Sequence, residues 1–274
     1  HTVEVRNKPE IEEFLRLPYR IYASDPNWIP HLRQDIEAVF DKKQNKFWRH
    51  GEALRWILKD DAGQTIGRVA AFVNKKATKE NKQPTGGCGF FECIHNQDAA
   101  NVLLDTARDW LKSKGMAAMD GPINFGEKDK FWGLITENFD LPPYYGQNYN
   151  PAYYNSLFTE YGFKVYYNQF IFYRAVNDPL QEKFNERANR LMADPDYTCI
   201  HINKRQLEKF AEDFRIVYNR AWVTHENFKG MSKEQSRSIM NRLKPVLDEK
   251  LIWFAYHKDK PVGFYISLPE LNEI

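Results

Sequence analysis

The chain has 274 residues, 42% of them hydrophobic and 15% aromatic, enough for one large or two medium buried cores. Its 39 Lys and Arg against 37 Asp and Glu leave a net charge of +2, so no overall field favours nucleic acid or a membrane surface. No run approaches the roughly 20 apolar residues that cross a bilayer, and three cysteines without a secretory signal suggest reduced thiols in a soluble, cytoplasmic protein. Cys88 and Cys93 have no second pair nearby, so no metal is expected.

Val3–Arg6 alternates like a short strand. From residue 9 to 26, Ile11, Phe14, Leu15 and Ile21-Tyr22 fall near helical spacing; Pro18 is expected to bend or restart that helix and Pro26 to end it. Residues 52–59 and 65–74 flank Asp60-Asp61-Ala62-Gly63 as a hairpin. The polar stretch 75–87 is expected to be a loop, and "GGCG" at 86–89 a turn ahead of a strand over 88–94. A helix from about Ala99 to Lys114 presents Val102, Leu103, Ala107, Trp110 and Leu111 on one face, with Gly115 as its stop. A short strand follows in "MAAMDG". The connection from 122 to 151 is long, aromatic and rich in Gly and Pro, which suggests a functional loop. Its Phe131, Trp132, Tyr144, Tyr145 and Tyr149 either line a substrate pocket, with Asn124, Asn148 and Asn150 as orienting groups, or pack the loop onto the domain. A helix from about Pro151 to Tyr161 ends at Gly162, and "FKVYYNQFIFYR" is expected to be a strand.

Residues 177–195 look like a helical linker. Beyond them the order begins again: a strand in "YTCIHIN", a helix, a second helix opened by a capping box of Ser232 and Gln235, and a hairpin over 251–268. Phe14, Tyr22, Trp56 and Gly67 match Phe210, Tyr218, Trp253 and Gly263 at offsets of 196 or 197 residues. One shared offset and one element order indicate two copies of a domain, residues 1–176 and a partial copy at 196–274. The partial copy stops at its third strand, so its sheet is expected to continue in further chain or to pair its edge elsewhere.

This order, with "NPAYYNSLFTEYGF" at 150–163 and the pairs Ile66-Gly67 and Val262-Gly263, resembles the GNAT superfamily of acyl-CoA N-acyltransferases. "LPYRIYASDPNWIP", "GFFE" and "YNPAYY" are similar to a bacterial group of tandem GNAT-like proteins. The resemblance implies an α/β fold, a mixed and mostly antiparallel sheet flanked by helices. It implies transfer of an acetyl group, from acetyl-CoA or another acyl-CoA, to an amine on a small molecule or peptide. Glu92 would be the general base and the cofactor arm would meet Phe91, Cys93, Ile94 and Asn150. Two departures stand out. Family members open the helix after the fourth strand with Q/R-x-x-G-x-G/A; the sequence here is "IHNQDAA", and Asp98 is expected to cap that helix and repel a phosphate. The family's acidic Tyr, four residues before Gly162, is Phe158 here, leaving Tyr154 on the same helical face as the replacement acid. Strand alternation puts Glu92 on one face with Phe90 and Ile94, where burial would raise its pKa. The competing readings are that Tyr154 and Glu92 are packing and hydrogen-bonding groups, and that the domain is a non-catalytic module whose aromatic cleft recognises a ligand or protein partner.

Overall fold

β1 (Thr2–Glu4) leads through α1 (Lys8–Ile21) and α2 (Arg33–Phe40) into the hairpin of β2 (Gly51–Lys59) and β3 (Thr65–Asn74); α3 (Lys75–Glu80), β4 (Thr85–Cys93), α4 (Gln97–Ser113), β5 (Ala118–Asp120) and α5 (Tyr153–Tyr161) follow. The computed structural model describes residues 1–80, 83–126, 130–224 and 230–273. They divide into two units, His1–Asn168 and Gln169–Glu270, with the last few residues grouping with the first; this division falls earlier than residue 176. The fold is mixed α/β, with mostly antiparallel sheets flanked by helices.

The first unit holds a five-stranded sheet in the order β1-β2-β3-β4-β5, antiparallel except for β4 and β5. That parallel pair runs from Thr85 to Gly87 opposite Ala118 to Asp120, where β5 ends, and the chain beyond it still touches β4, Ile123 N–H donating to Cys88 O at 2.8 Å. Phe14, Leu15, Ile36 and Val39 of α1 and α2 pack on one face of the sheet against Ile57, Phe72 and Phe125. On the other face Leu103, Leu104 and Leu111 of α4, with Leu157 and Phe158 of α5, cover Trp56, Val69 and Ala71.

Local chemistry accounts for most of these elements and for several departures from expectation. α1 opens on a capping box of Asn7 and Glu10. It runs unbroken through Pro18, without the restart that was one of the expected outcomes. A helical proline leaves the carbonyl four residues earlier without its donor, and here that carbonyl, Phe14 O, accepts a hydrogen bond of 2.7 Å from Arg68 Nη1 on β3. α2 and α3 occupy stretches with weak periodicity: only Ile36 and Val39 of α2 are buried, and α3 lies in the lysine-rich stretch expected to be a loop, of which residues 81 and 82 are outside the described residues. "GGCG" lies inside β4 and is no turn. A Cβ on Gly89 would sit 1.9 Å from the carbonyl oxygen of Ile123, so the glycine admits a second backbone against the strand. α5 ends as expected, at Gly162 with φ 114°.

Residues 164–174 form no strand. Tyr166, Phe172 and Tyr173 are each more than 80% exposed; the β-prone side chains are present, but the backbone has no ladder partner among the described residues.

In the second unit α6 (Glu182–Ala193) precedes β6 (Tyr197–His201), α7 (Leu207–Trp222), α8 (Lys233–Leu243), β7 (Ile252–His257) and β8 (Lys260–Ile266). The sheet order is β6-β7-β8, antiparallel throughout, over a core of Phe210, Phe214, Met240, Ile252 and Phe254. The capping box of Ser232 and Gln235 is present. The strand-helix-helix-hairpin order is that of β1 to β3. Trp56 is 7% exposed beneath α4, whereas Trp253 is 39% exposed. No helix among the described residues is long and apolar enough to cross a membrane.

Gly89→Ala tests the backbone crossing. Because the obstructing atom is a main-chain oxygen that no rotamer change can move, the substitution should cost at least about 3 kcal/mol, read as a lower urea midpoint at unchanged slope.

Candidate functional site

A bulge in β4 builds the site. Gly89 pairs with Ala70 and Glu92 with Arg68, so Phe90 and Phe91 together face the single residue Val69. Phe90 takes up the extra residue with a φ of 49° and turns toward Phe40 and Phe131. Phe91 goes to the other face, against Tyr154 and Phe158.

Glu92 then lies buried among groups from three other elements. Its Oε2 accepts from the hydroxyls of Tyr22, at the end of α1, and Tyr154, on α5, at 2.8 and 2.7 Å. Its Oε1 has only a 3.3 Å contact with Arg68 Nη2. Burial pushes the Glu92 pKa up, while Arg68 and the two hydroxyls pull it back without cancelling the rise. Tyr22 and Tyr154 are pushed well above ordinary phenols, first by burial and then by the Glu92 charge. The Tyr154 hydroxyl also accepts from Cys93 N–H at 2.8 Å, and the Tyr153 hydroxyl donates to Cys93 O at 2.8 Å. Both polar backbone atoms of Cys93 are therefore engaged.

Glu92 lines a cavity of about 20 Å³ together with Arg68, His31, Trp28 and Tyr149. That volume suits one water-sized group. Trp28 is stacked on Tyr22, and Tyr149 is tied to Asp25 by a 2.8 Å hydrogen bond. Burial, and then the nearby Arg68 charge, push the His31 imidazole down to about 4, so it is neutral at pH 7.

Of the residues singled out in the sequence, Glu92 and Tyr154 are brought into direct contact. Ile94 is partly exposed and donates its N–H to Ile66 O at 3.1 Å. Asn150 is spent inside the loop, accepting from Ile135 N–H at 2.7 Å and donating to Pro151 O at 3.0 Å. Asn148 donates to Gly133 O at 2.6 Å, Tyr145 donates to Asp35 on α2, and Tyr144 is exposed. Asn124 is buried in the crossing segment, and neither it nor Trp132 borders the Glu92 cavity. Tyr22, Arg68, His31 and Trp28 were not expected at the site. Arg68 had a legible signal, as the one charge inside the apolar strand "TIGRVAAFV".

No family model matches the chain. Over 99% of its length it is 26% identical to the bacterial ceramide synthase of Caulobacter vibrioides, covering 70% of that protein, and over 97% it is 24% identical to protein YghO of Escherichia coli, covering 67%. The chain is GNAT-like in fold and a distant homologue of both. Among solved structures, a glucosamine N-acetyltransferase region of a fungal multi-domain β-N-acetylglucosaminidase overlaps 96% of this chain and 27% of its own, at 10% identity and a TM-score of 0.48. The fold assignment stands on the strand order of the sheet and on the helices that cover its two faces.

A GNAT-like fold implies an acyl-CoA donor, and the joint between β4 and α4 is where its diphosphate is expected. The residues there do not fit it. The N-cap is Asn96 and not Asp98, because the helix begins at Gln97; Asn96 Oδ1 takes the Ala99 N–H at 2.8 Å. Asp98 adds a negative charge in the first turn. The joint has no glycine to let the backbone close around a diphosphate, it carries the Asp98 charge, and the Cys93 backbone atoms that an arm would use are already hydrogen-bonded to Tyr153 and Tyr154.

Two measurements test the network. Arg68→Met leaves Glu92 buried and Phe14 O without its donor, and should cost about 3–5 kcal/mol; adding Glu92→Met to it should cost clearly less than the sum of the single substitutions, as thermal or urea unfolding will read. His31 binds its proton only near pH 4 when folded but near 6.5 when unfolded. Its contribution is therefore complete above about pH 6.5 and lost as pH falls toward 4, a change of about 2–3 kcal/mol. The decline in melting temperature over that window should be shallower in His31→Leu.

Proposed function

We propose that the protein is an acyl-CoA-dependent N-acyltransferase whose acceptor amine loses its proton toward Glu92. Acyl transfer to an amine releases one proton, which needs an acceptor of suitable pKa within reach or one bridging oxygen away. Glu92 meets that need: its pKa is raised, Oε2 is held by two hydroxyls, Oε1 is only loosely engaged, and the residue borders a one-atom cavity. The observation that carries the reading is this carboxylate at the β4 bulge of a GNAT-like sheet. Tyr154, with its hydroxyl committed to Glu92, is a positioning residue, which revises the acid role expected for it. Trp28 and Tyr149 wall the approach. Trp132, Tyr144, Tyr145, Asn124 and Asn148 have no part in this reading.

The homologue named for ceramide synthesis supports a long-chain amino alcohol as acceptor, since a ceramide is the amide of such a compound. The acyl group extends beyond the acetyl first expected to the longer acyl chains such a product carries. The self-capped joint before α4 favours the other reading, a first unit that recognises its ligand without holding the donor.

The test is an assay with sphinganine and acyl-CoAs of two to sixteen carbons. Amide product should form, and Glu92→Gln should lower kcat by roughly 10²–10⁴ while the fold survives. An absence of amide from every donor, in a protein that still binds the amine, would decide for the recognition module. Thermal shift with CoA alone should be unaffected by Asn96→Ala, because that joint holds no diphosphate in this reading.

A further inference from the structure

Arg68 is 3% exposed and satisfies Phe14 O and Glu92 through its two terminal nitrogens, at 2.7 and 3.3 Å. Its third nitrogen, Nε, is buried with its N–H lacking a hydrogen-bond partner among the described residues. Buried donors are nearly always paired, and leaving one unpaired is costly. Arg68 lines the cavity of about 20 Å³ beside Glu92. Glu92 lines it too, and its Oε1, with a single 3.3 Å contact among the described residues, is the carboxylate oxygen with capacity to accept. A group seated between them must accept from Arg68 and donate to Glu92. It must also be about the size of one heavy atom. An ammonium cannot accept and a carbonyl cannot donate, and the guanidinium disfavours a second cation. Water and the hydroxyl of an organic molecule meet all the conditions.

From this we infer that the cavity is a hydroxyl-binding notch, and that the protein's ligand is an amino alcohol whose hydroxyl accepts from Arg68 Nε and donates to Glu92 Oε1. The inference rests on the acyltransferase reading only for the amine; the notch itself follows from the orphaned donor and the underused oxygen. The neutral His31 imidazole and the Trp28 ring close the notch without adding charge. In an acceptor whose hydroxyl and amine stand on adjacent carbons, the hydroxyl occupies the position of a bridging water. It hands its own proton to Glu92 as it receives one from the amine, so that one proton crosses and the hydroxyl is regenerated. An amine without the hydroxyl leaves Arg68 Nε as it is now and gains nothing from the notch.

The experiment compares 2-amino-1-dodecanol with 2-aminododecane, by calorimetric titration of the intact chain below their micelle concentrations. The amino alcohol should bind at least about tenfold more tightly, the loss expected when a buried hydrogen-bonding site is left unpaired. Arg68→Lys, which keeps the charge but lacks Nε–H, should erase most of that preference if circular dichroism shows it folded; should it unfold, the wild-type comparison decides alone. Equal affinities, or binding of neither compound, overturn the inference and leave the cavity a water site. A tenfold preference without amide formation supports the notch and defeats the acyltransferase reading; amide formation from both amines at equal KM does the reverse.

Discussion

A carboxylate and a guanidinium enclosed in an apolar unit must find a partner for nearly every polar atom they carry, and in the first unit that requirement shapes its surroundings. Glu92 and Arg68 stand opposite each other on β4 and β3. The hydroxyls that hold Glu92 Oε2 come from the end of α1 and from α5, and the carbonyl that accepts from Arg68 Nη1 comes from the middle of α1. The four elements are thereby fixed to a common point, with hydrophobic packing on both faces supplying the bulk of the stabilisation. The pair's own net contribution to stability is small, because desolvation offsets the attraction; what it determines is the geometry around the carboxylate.

The parts of the fold legible in the sequence were those with strong local signals. The hairpin around Asp60 and Gly63, α4 with its apolar face, the Gly162 stop and the Ser232 capping box all depend on neighbouring residues. The misread parts depend on distant ones. Pro18 is tolerated because a side chain fifty residues on supplies the donor its helix lacks. The glycine run is a strand because another segment crosses it, and 164–174 is no strand because pairing, which propensity cannot supply, is missing among the described residues. At the site, Glu92 and Tyr154 could be picked out by strand alternation and helical spacing, whereas Tyr22, His31 and Trp28 reach Glu92 only through the tertiary path of α1 and the chain after it.

The joint between β4 and α4 shows how two sequence-level arguments can differ in detail and agree in outcome. An acidic cap at Asp98 was expected to keep anions away; the cap is an amide two residues earlier, and the acid stands in the first turn beside it. Both arrangements satisfy a first-turn donor from within and set a carboxylate beside the rest. The same economy recurs at Cys93, where two tyrosine hydroxyls take the backbone atoms an arm would need. A unit can thus keep the frame of an acyltransferase while its anion seat is filled by its own side chains.

Proline 18 and arginine 68 also tie the unit's history together. Were the proline to revert to a residue with an amide hydrogen, α1 would recover its own bond to Phe14 O and the guanidinium would lose a ligand; were the arginine to go first, the proline would become a lesion in the helix. Neither change is neutral alone, so descendants of this chain should carry the two residues or lack both, a pairwise inheritance that an alignment of close relatives would display as covariation.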